Sequence, residues 1–413
     1  MNSLPSPPLQ RSRRFAFHAS GLLLLTGCSL VAQTPPAVAP VPAPAPASAS
    51  AASAAALPKV LVIGTGGTIA GTQAAPGTLG GYTAGALPAE AIIASVPELS
   101  RHAIIESEQF SNVASTAITP AQWLALSKRI NAVLSERKDL AGVVVTHGTD
   151  RLEETAFFLY LTVRSDKPVI VVGAQRPATG ISPDGPINLL SAVRTAVSPQ
   201  AVGKGVMVVL DDRILSARET RKLYQRSGGF SGGEMGMLGV VGGSGPEFLF
   251  APVRRHGSGS EFDMSKVDSL PQVEMAFSYP GGTGPKYDKP PLGIAVQSNG
   301  FTRAESETYA ALRRAGTVIV TVFALGDNMS AAGRVGPPAT GATGAGTGSA
   351  TSAAGTIRPD SARSASTAQP PTAAMAASIV AQHLTPAKAR ILLMIALTQT
   401  KDARELQRIF VQY

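Results

Sequence analysis

The sequence predicts an α/β fold, with a larger N-terminal domain on a doubly wound, mostly parallel sheet and a smaller C-terminal α/β domain. Three observations carry this expectation. Short continuous apolar runs bounded by glycine recur along the chain, as in strands buried on both faces. Segments with apolar residues on a 3.6-residue period lie between them. The chain has 413 residues and 44% hydrophobic content, more than one average domain and enough for a sizeable core.

The front of the chain is an address. Arg11, Arg13 and Arg14 form a positive region ahead of an apolar stretch at 15–25, which is too short to span a bilayer but suits a secretory signal. It ends in Leu25-Thr26-Gly27-Cys28, which resembles the lipobox of bacterial lipoproteins, with Cys28 as the acceptor of the lipid. Residues 1–28 then form the signal, and the expected location is the periplasm, with the membrane reached only through lipid on Cys28. Cleavage nearby, for instance after Ala32, is the alternative and leaves a soluble periplasmic protein. Ser12-Arg13-Arg14 is a weak twin-arginine sign. Residues 29–57 are dominated by Ala, Pro, Ser and Val, a composition that forms a tether rather than a core.

Cys28 is the only cysteine, so no thiol is left for a disulfide, a zinc site or a nucleophile. The five histidines are scattered without ligand spacing, so no metal site is expected. The formal charge of +9 includes the three signal arginines, and the remaining cations are dispersed without aromatic interleaving, which argues against a nucleic-acid partner.

The first domain is expected over 58–253. Its strands are Lys59-Val60-Leu61-Val62-Ile63, Gly142-Val143-Val144-Val145, Val169-Ile170-Val171-Val172 and Val206-Met207-Val208-Val209-Leu210. A helix over 120–134 carries Trp123, Leu124, Leu126, Ile130, Val133 and Leu134 on one face, with Thr119 as N-cap and Pro120 at the first helical position. Helices over 152–163 and 187–197 follow the same logic. A polar linker at 254–268 leads to the second domain, 269–413. That domain has strands at 292–296 and 318–323, a helix near 303–314 and a C-terminal helix from Pro386. Residues 333–373, rich in Gly, Ala, Thr, Ser and Pro, read as a disordered insertion.

Ligand sites of doubly wound sheets lie beyond the carboxyl ends of the strands, and two motifs sit at such ends. They are Gly64-Thr65-Gly66-Gly67-Thr68-Ile69-Ala70-Gly71 and Thr146-His147-Gly148-Thr149-Asp150-Arg151-Leu152-Glu153-Glu154-Thr155-Ala156. The first lacks the Gly-Lys-Ser/Thr end of a P-loop and has Ile69 where a dinucleotide turn needs glycine. A threonine hydroxyl in a glycine-rich turn suits acyl transfer instead: it becomes a nucleophile when a base takes its proton, and main-chain N–H groups stabilise the oxyanion.

These motifs resemble those of the asparaginase/glutaminase family, and within it the bacterial type II L-asparaginases. Thr65 to Gly71 matches the family's Thr-Gly-Gly-Thr-Ile-Ala-Gly signature, and His147 to Ala156 matches its second motif except at Arg151. Further agreement lies in Gly173-Ala174-Gln175-Arg176-Pro177, Asp184-Gly185-Pro186-Ile187-Asn188-Leu189, Phe262-Asp263 and the segment 389–400. The resemblance implies a cofactor-free hydrolysis of L-asparagine, with L-glutamine as a further small-molecule substrate. Thr68 is implied as nucleophile, with Tyr82 polarising its hydroxyl. Thr149, Lys222 and Asp150 are implied as a second triad; burial disfavours the charged form of a lysine, which lets Lys222 take the Thr149 proton. Substrate binding is implied at Asp150 for the α-ammonium, at Ser115 for the α-carboxylate, and at Gly67 and Thr149 as oxyanion donors. A homotetramer is implied as the assembly. His147 is read as ordering its turn, and Glu153 and Glu154 as complementing a helix N-terminus.

Four departures fall on the half of the pocket that receives the substrate amine. Arg151 brings a large cation next to Asp150, and Thr116 stands where the family often has a substrate-contacting Gln. Tyr279 is followed by Pro280-Gly281-Gly282 in place of the neighbouring subunit's Asn, and the stretch Ser298-Asn299-Gly300-Phe301 is shortened. The rival to an active amidohydrolase is a catalytically weak lipoprotein that binds amino acids or peptides.

Overall fold

A computed structural model of the chain describes residues 56–75, 81–323, 379–381 and 383–413. The signal segment with Cys28, the tether up to residue 55 and the insertion at 333–373 lie outside the described residues.

The glycine-bounded apolar runs become strands because their residues are buried on both faces. In chain order the elements are β1 (Lys59–Gly66), the short pair β2 (Thr72–Gln73) and β3 (Tyr82–Thr83), α1 (Ala89–Ala94), β4 (Ile104–Val113), α2 (Pro120–Glu136), β5 (Leu140–Thr146), α3 (Leu152–Thr162), β6 (Val169–Val172) and α4 (Gly185–Ala196). There follow β7 (Val206–Leu210), β8 (Arg213–Ser216), β9 (Arg221–Lys222), β10 (Phe230–Ser231), β11 (Met237–Gly242) and β12 (Gly245–Phe248). The remainder comprises β13 (Val273–Phe277), β14 (Gly293–Gln297), α5 (Arg303–Arg314), β15 (Val318–Val322), β16 (Ile379–Ala381), α6 (Pro386–Ala396) and α7 (Ala403–Gln412).

The larger sheet has eight strands in the order β12-β11-β8-β7-β6-β5-β1-β4. β4, β1, β5, β6 and β7 are parallel, and β8, β11 and β12 add an antiparallel edge. Alternate residues of these strands face opposite layers. Leu61, Ile63, Val143 and Val145 pack with α2 and α3, whereas Val60, Val62 and Val144 pack with α1 and α4.

The direction of the crossovers locates the site. From β1 the chain steps outward to β4 past α1, returns to β5 past α2 on the other face, and goes on to β6 past α3 on that same face. These three crossovers share one hand. The next, from β6 to β7 past α4, keeps the direction but changes face, so its hand is reversed. Parallel crossovers are right-handed in about 98% of cases, which makes the α4 crossover the left-handed exception. The connections after the neighbours β1 and β5 leave in opposite directions, and the crevice above them is where a ligand fits an open α/β sheet.

The second sheet, β13-β14-β15-β16, is wholly parallel. α6 covers one face together with the larger sheet's α3, so one apolar cluster runs from Phe157 and Phe158 through Ala295 and Val320 to Leu392 and Leu393. α5 covers the other face through Tyr309 and Leu312.

Local chemistry sets the helix ends. α2 opens with a capping box, Thr119 accepting from the Gln122 N–H while the Gln122 side chain accepts from the Thr119 N–H. α5 has the same arrangement with Thr302 and Glu305. The single C-terminal helix expected from Pro386 is two helices. Thr398 folds back to the Ile395 carbonyl at 2.6 Å, and Asp402 starts a new helix by accepting from the N–H groups of Arg404 and Glu405.

Candidate active site

The first motif leaves β1 and tightens into a turn at Thr68–Ala70. Gly67, at φ 82°, is held there because its main chain lies against that of Gly148: a Cβ at Gly67 would stand 2.2 Å from both the N and Cα of Gly148. The two motifs therefore meet backbone to backbone. Thr65 Oγ1 also donates to the Thr146 carbonyl at 2.8 Å, tying the ends of β1 and β5. The loop before α4 closes over this turn, with Ala178 N–H on the Gly71 carbonyl at 2.9 Å and Gly185 against Ile69.

Thr68 is buried, at 6% exposure, and its hydroxyl is 2.7 Å from the Tyr82 hydroxyl. The β2–β3 pair carries Tyr82 to this position opposite Gln73, and Gly71 leaves room for the ring, since a Cβ there would lie 2.6 Å from Tyr82 Cδ2. Tyr82 itself is 44% exposed.

The second constellation begins at the head of α3. Lys222 Nζ donates to Thr149 Oγ1 at 2.8 Å and to Asp150 Oδ1 at 2.6 Å. The Asp150 side chain remains nearly half exposed, whereas those of Thr149 and Lys222 are mostly covered. Ser115 is buried with its Oγ against Gly148, where a Cβ would come within 2.8 Å of it. Thr68 with Tyr82, Thr149 with Asp150 and Lys222, and Ser115 thus line the two touching loops.

One expectation needs correction. The Gly67 N–H donates to the Val113 carbonyl at 3.0 Å, so it is not free to receive an oxyanion. Arg151 does place its charge beside Asp150, and its guanidinium is also paired, 2.5 Å from Glu154 Oε1, a pairing that holds its pKa above the ordinary arginine value. Thr116 and Tyr279 are both exposed.

His147 orders its turn. Nδ1 lies 2.7 Å from the Gly148 carbonyl, and Nε2 lies 2.9 Å from Thr155 Oγ1, which in turn accepts from Trp123 Nε1 at 2.8 Å. Burial lowers its pKa to about 4, so the ring is neutral near pH 7 with its proton on Nδ1, facing the carbonyl.

Three partners were not visible as such in the sequence. Glu153 Oε2 accepts the Lys222 main-chain N–H at 2.5 Å, Thr155 joins Trp123 to His147, and Lys388 reaches the segment before Lys222. Each works on a group distant along the chain. Among the described residues no cluster of three or more His, Cys, Asp or Glu is placed to hold a metal ion, and no helix is long and apolar enough to cross a membrane.

Residues 59–254 match the family described as asparaginase, N-terminal. The chain is 36% identical to L-asparaginase 2 of Bacillus subtilis over 98% of its own length and 100% of that protein. It is 37% identical to the glutaminase-asparaginase of Pseudomonas fluorescens, covering 86% of this chain and 91% of the other. The crystal structure of a "probable cytoplasmic L-asparaginase" from Campylobacter jejuni superposes with a TM-score of 0.70 at 33% identity, over 86% of this chain and 100% of that one. With its sequence matched end to end and its fold shared, the chain belongs to the asparaginase family.

Proposed function

We propose that this protein hydrolyses L-asparagine to L-aspartate and ammonia through an acyl-enzyme on Thr68. The observation that supports the reading is the pairing of two threonine constellations on touching loops: Thr68 with Tyr82 at 2.7 Å, and Thr149 with Lys222 at 2.8 Å. Thr68 Oγ attacks the carboxamide carbon while its proton passes toward Tyr82. The carbonyl oxygen takes the negative charge, the C–N bond breaks, and the nitrogen leaves as ammonia after gaining a proton. Water then attacks the β-aspartyl ester, with Thr149 and Lys222 relaying its proton, and Thr68 is regenerated.

Since the Gly67 N–H is taken, the oxyanion donors in this reading are the main-chain N–H groups of Thr68 and Thr149. Asp150 holds the α-ammonium and Ser115 the α-carboxylate. The substrate ammonium competes with Lys222 for the Asp150 carboxylate, which couples substrate binding to the second triad. L-glutamine is the second amide of the proposal, as the name of the Pseudomonas relative implies for that protein. Export to the periplasm, lipid on Cys28 and a homotetramer belong to the same proposal, supported by the front of the sequence and by the family.

The test is ammonia release from L-asparagine and L-glutamine by the purified protein beside Thr68→Ala. The variant is expected to lose at least about a thousandfold in kcat, a magnitude typical of removing a nucleophile. A reactive amide analogue should label the peptide that contains Thr68. Equal turnover by the two proteins, or a label on another residue, sinks the mechanism.

A further inference from the structure

Lys222 rides on a strand of two residues paired to another of two residues. So short a ribbon does not fix its own place. Much of its placement comes from outside the ribbon, and two contacts from helices of different parts of the fold bear on it. Glu153, in the first turn of α3, accepts the Lys222 N–H. On the other side lies Lys388, in the first turn of α6 under the second sheet, with 1% exposure. Its Nζ donates to the carbonyls of Ala217 at 3.2 Å, Arg218 at 2.7 Å and Thr220 at 2.5 Å.

These acceptors form the turn that delivers Arg221 and Lys222, and they engage all three hydrogens of an ammonium. The amine also lies 5.6 Å from the centre of the Phe157 ring, on the helix that begins at the site. Burying an ammonium carries a large desolvation cost, which an apolar side chain of the same length would avoid. Burial lowers the Lys388 pKa to about 8, which leaves the three-hydrogen form in place at neutral pH. The groups whose charges act on it are Glu153 at the head of α3, and Glu219, Arg218 and Arg221 along the turn.

We propose that Lys388 is a positioning residue for the reaction: by clamping the carbonyls of Ala217, Arg218 and Thr220 it fixes where Lys222 presents its amine to Thr149 and Asp150. The proposal rests on the role given above to Lys222. It makes a helix of the second sheet part of the apparatus that aims a group at the end of the first.

The experiment is a double-mutant cycle of Lys388→Met and Lys222→Ala in the full chain, with kcat and KM for L-asparagine measured separately. Lys388→Met is expected to lower kcat about 10- to 100-fold with KM changed less than about threefold, because a displaced group costs rate more than binding. In the Lys222→Ala background the same substitution should cost less than about twofold, because the amine it positions is gone. Equal losses in both backgrounds, or an unchanged kcat, overturn the proposal. Should Lys388→Met fail to fold, Lys388→Arg keeps the charge in a planar head that does not match three converging carbonyls; a folded Lys388→Arg with wild-type kcat is then the overturning result, and a kcat loss confined to the Lys222 background supports the clamp. Thr68→Ala separates the two readings. Loss of turnover there with Lys388→Met unaffected removes the clamp alone, whereas full turnover by Thr68→Ala removes the acyl-enzyme.

Discussion

His147 sits in the second glycine-rich motif with both ring nitrogens engaged by structural contacts. Its ring is buried between a carbonyl and a threonine hydroxyl, and its pKa falls to about 4. The unfolded chain binds a proton near pH 6.5 and the folded chain does not until about pH 4, so stability is complete above pH 6.5 and is lost as pH falls through this window. The loss attributable to this one group between pH 7.5 and 4.5 is about 2 to 3 kcal/mol. Urea unfolding of the wild type and of His147→Gln at the two pH values should show the wild type losing that much more. An equal pH dependence in both proteins contradicts a neutral buried imidazole. The glycine-rich turns that carry Thr68, Thr149 and Asp150 were legible in the sequence as loops at strand ends, whereas the roles proposed for these residues came from the resemblance to the family and not from the turns themselves. The contacts of Glu153 and Lys388 were not legible, because each binds main chain, 69 residues away at Lys222 and 170 away at Arg218.

The helices α2 and α3 act together as a strut under the second loop. Trp123 on α2 donates to Thr155 on α3, and Thr155 donates onward to His147, whose own proton faces the Gly148 carbonyl. Thr155→Val keeps the shape but leaves the indole N–H and the imidazole nitrogen without a partner in the core. It should destabilise the protein by about 2 to 4 kcal/mol, the cost of stranding two buried polar groups. A shift in the urea midpoint at unchanged slope measures it, and a neutral substitution would show that the chain of hydrogen bonds carries no stability. α2 itself was readable from its capping residues and apolar stripe, and it extends two residues beyond the expected end. The antiparallel edge strands were harder to read: β11 and β12 carry glycines and partly exposed positions, and their pairing with β8 defines them more than their composition. The reversed crossover at α4 left no sign in the sequence, since hand is a property of which face a helix reaches.

The largest apolar cluster does not respect the boundary between the sheets. α3 from the first and α6 from the second meet in it, and Phe262 and Tyr413 close it with ring centres 4.7 Å apart. Calorimetry should therefore give one cooperative unfolding transition, not two resolved ones. Two resolved transitions would show that the halves melt independently despite the shared core. The alternation of strands and helices was enough to foresee two sheets, but it gave no hint that a single core would join them. The contact of Gly67 with Gly148 has one more consequence. No side chain stands between Gly67 and Gly148, so rotamer exchange has nothing to act on at the point where the Thr68 and Thr149 loops touch. Their spacing there is set by main chain against main chain, and warming that loosens the surrounding packing should leave this separation the last dimension of the crevice to change.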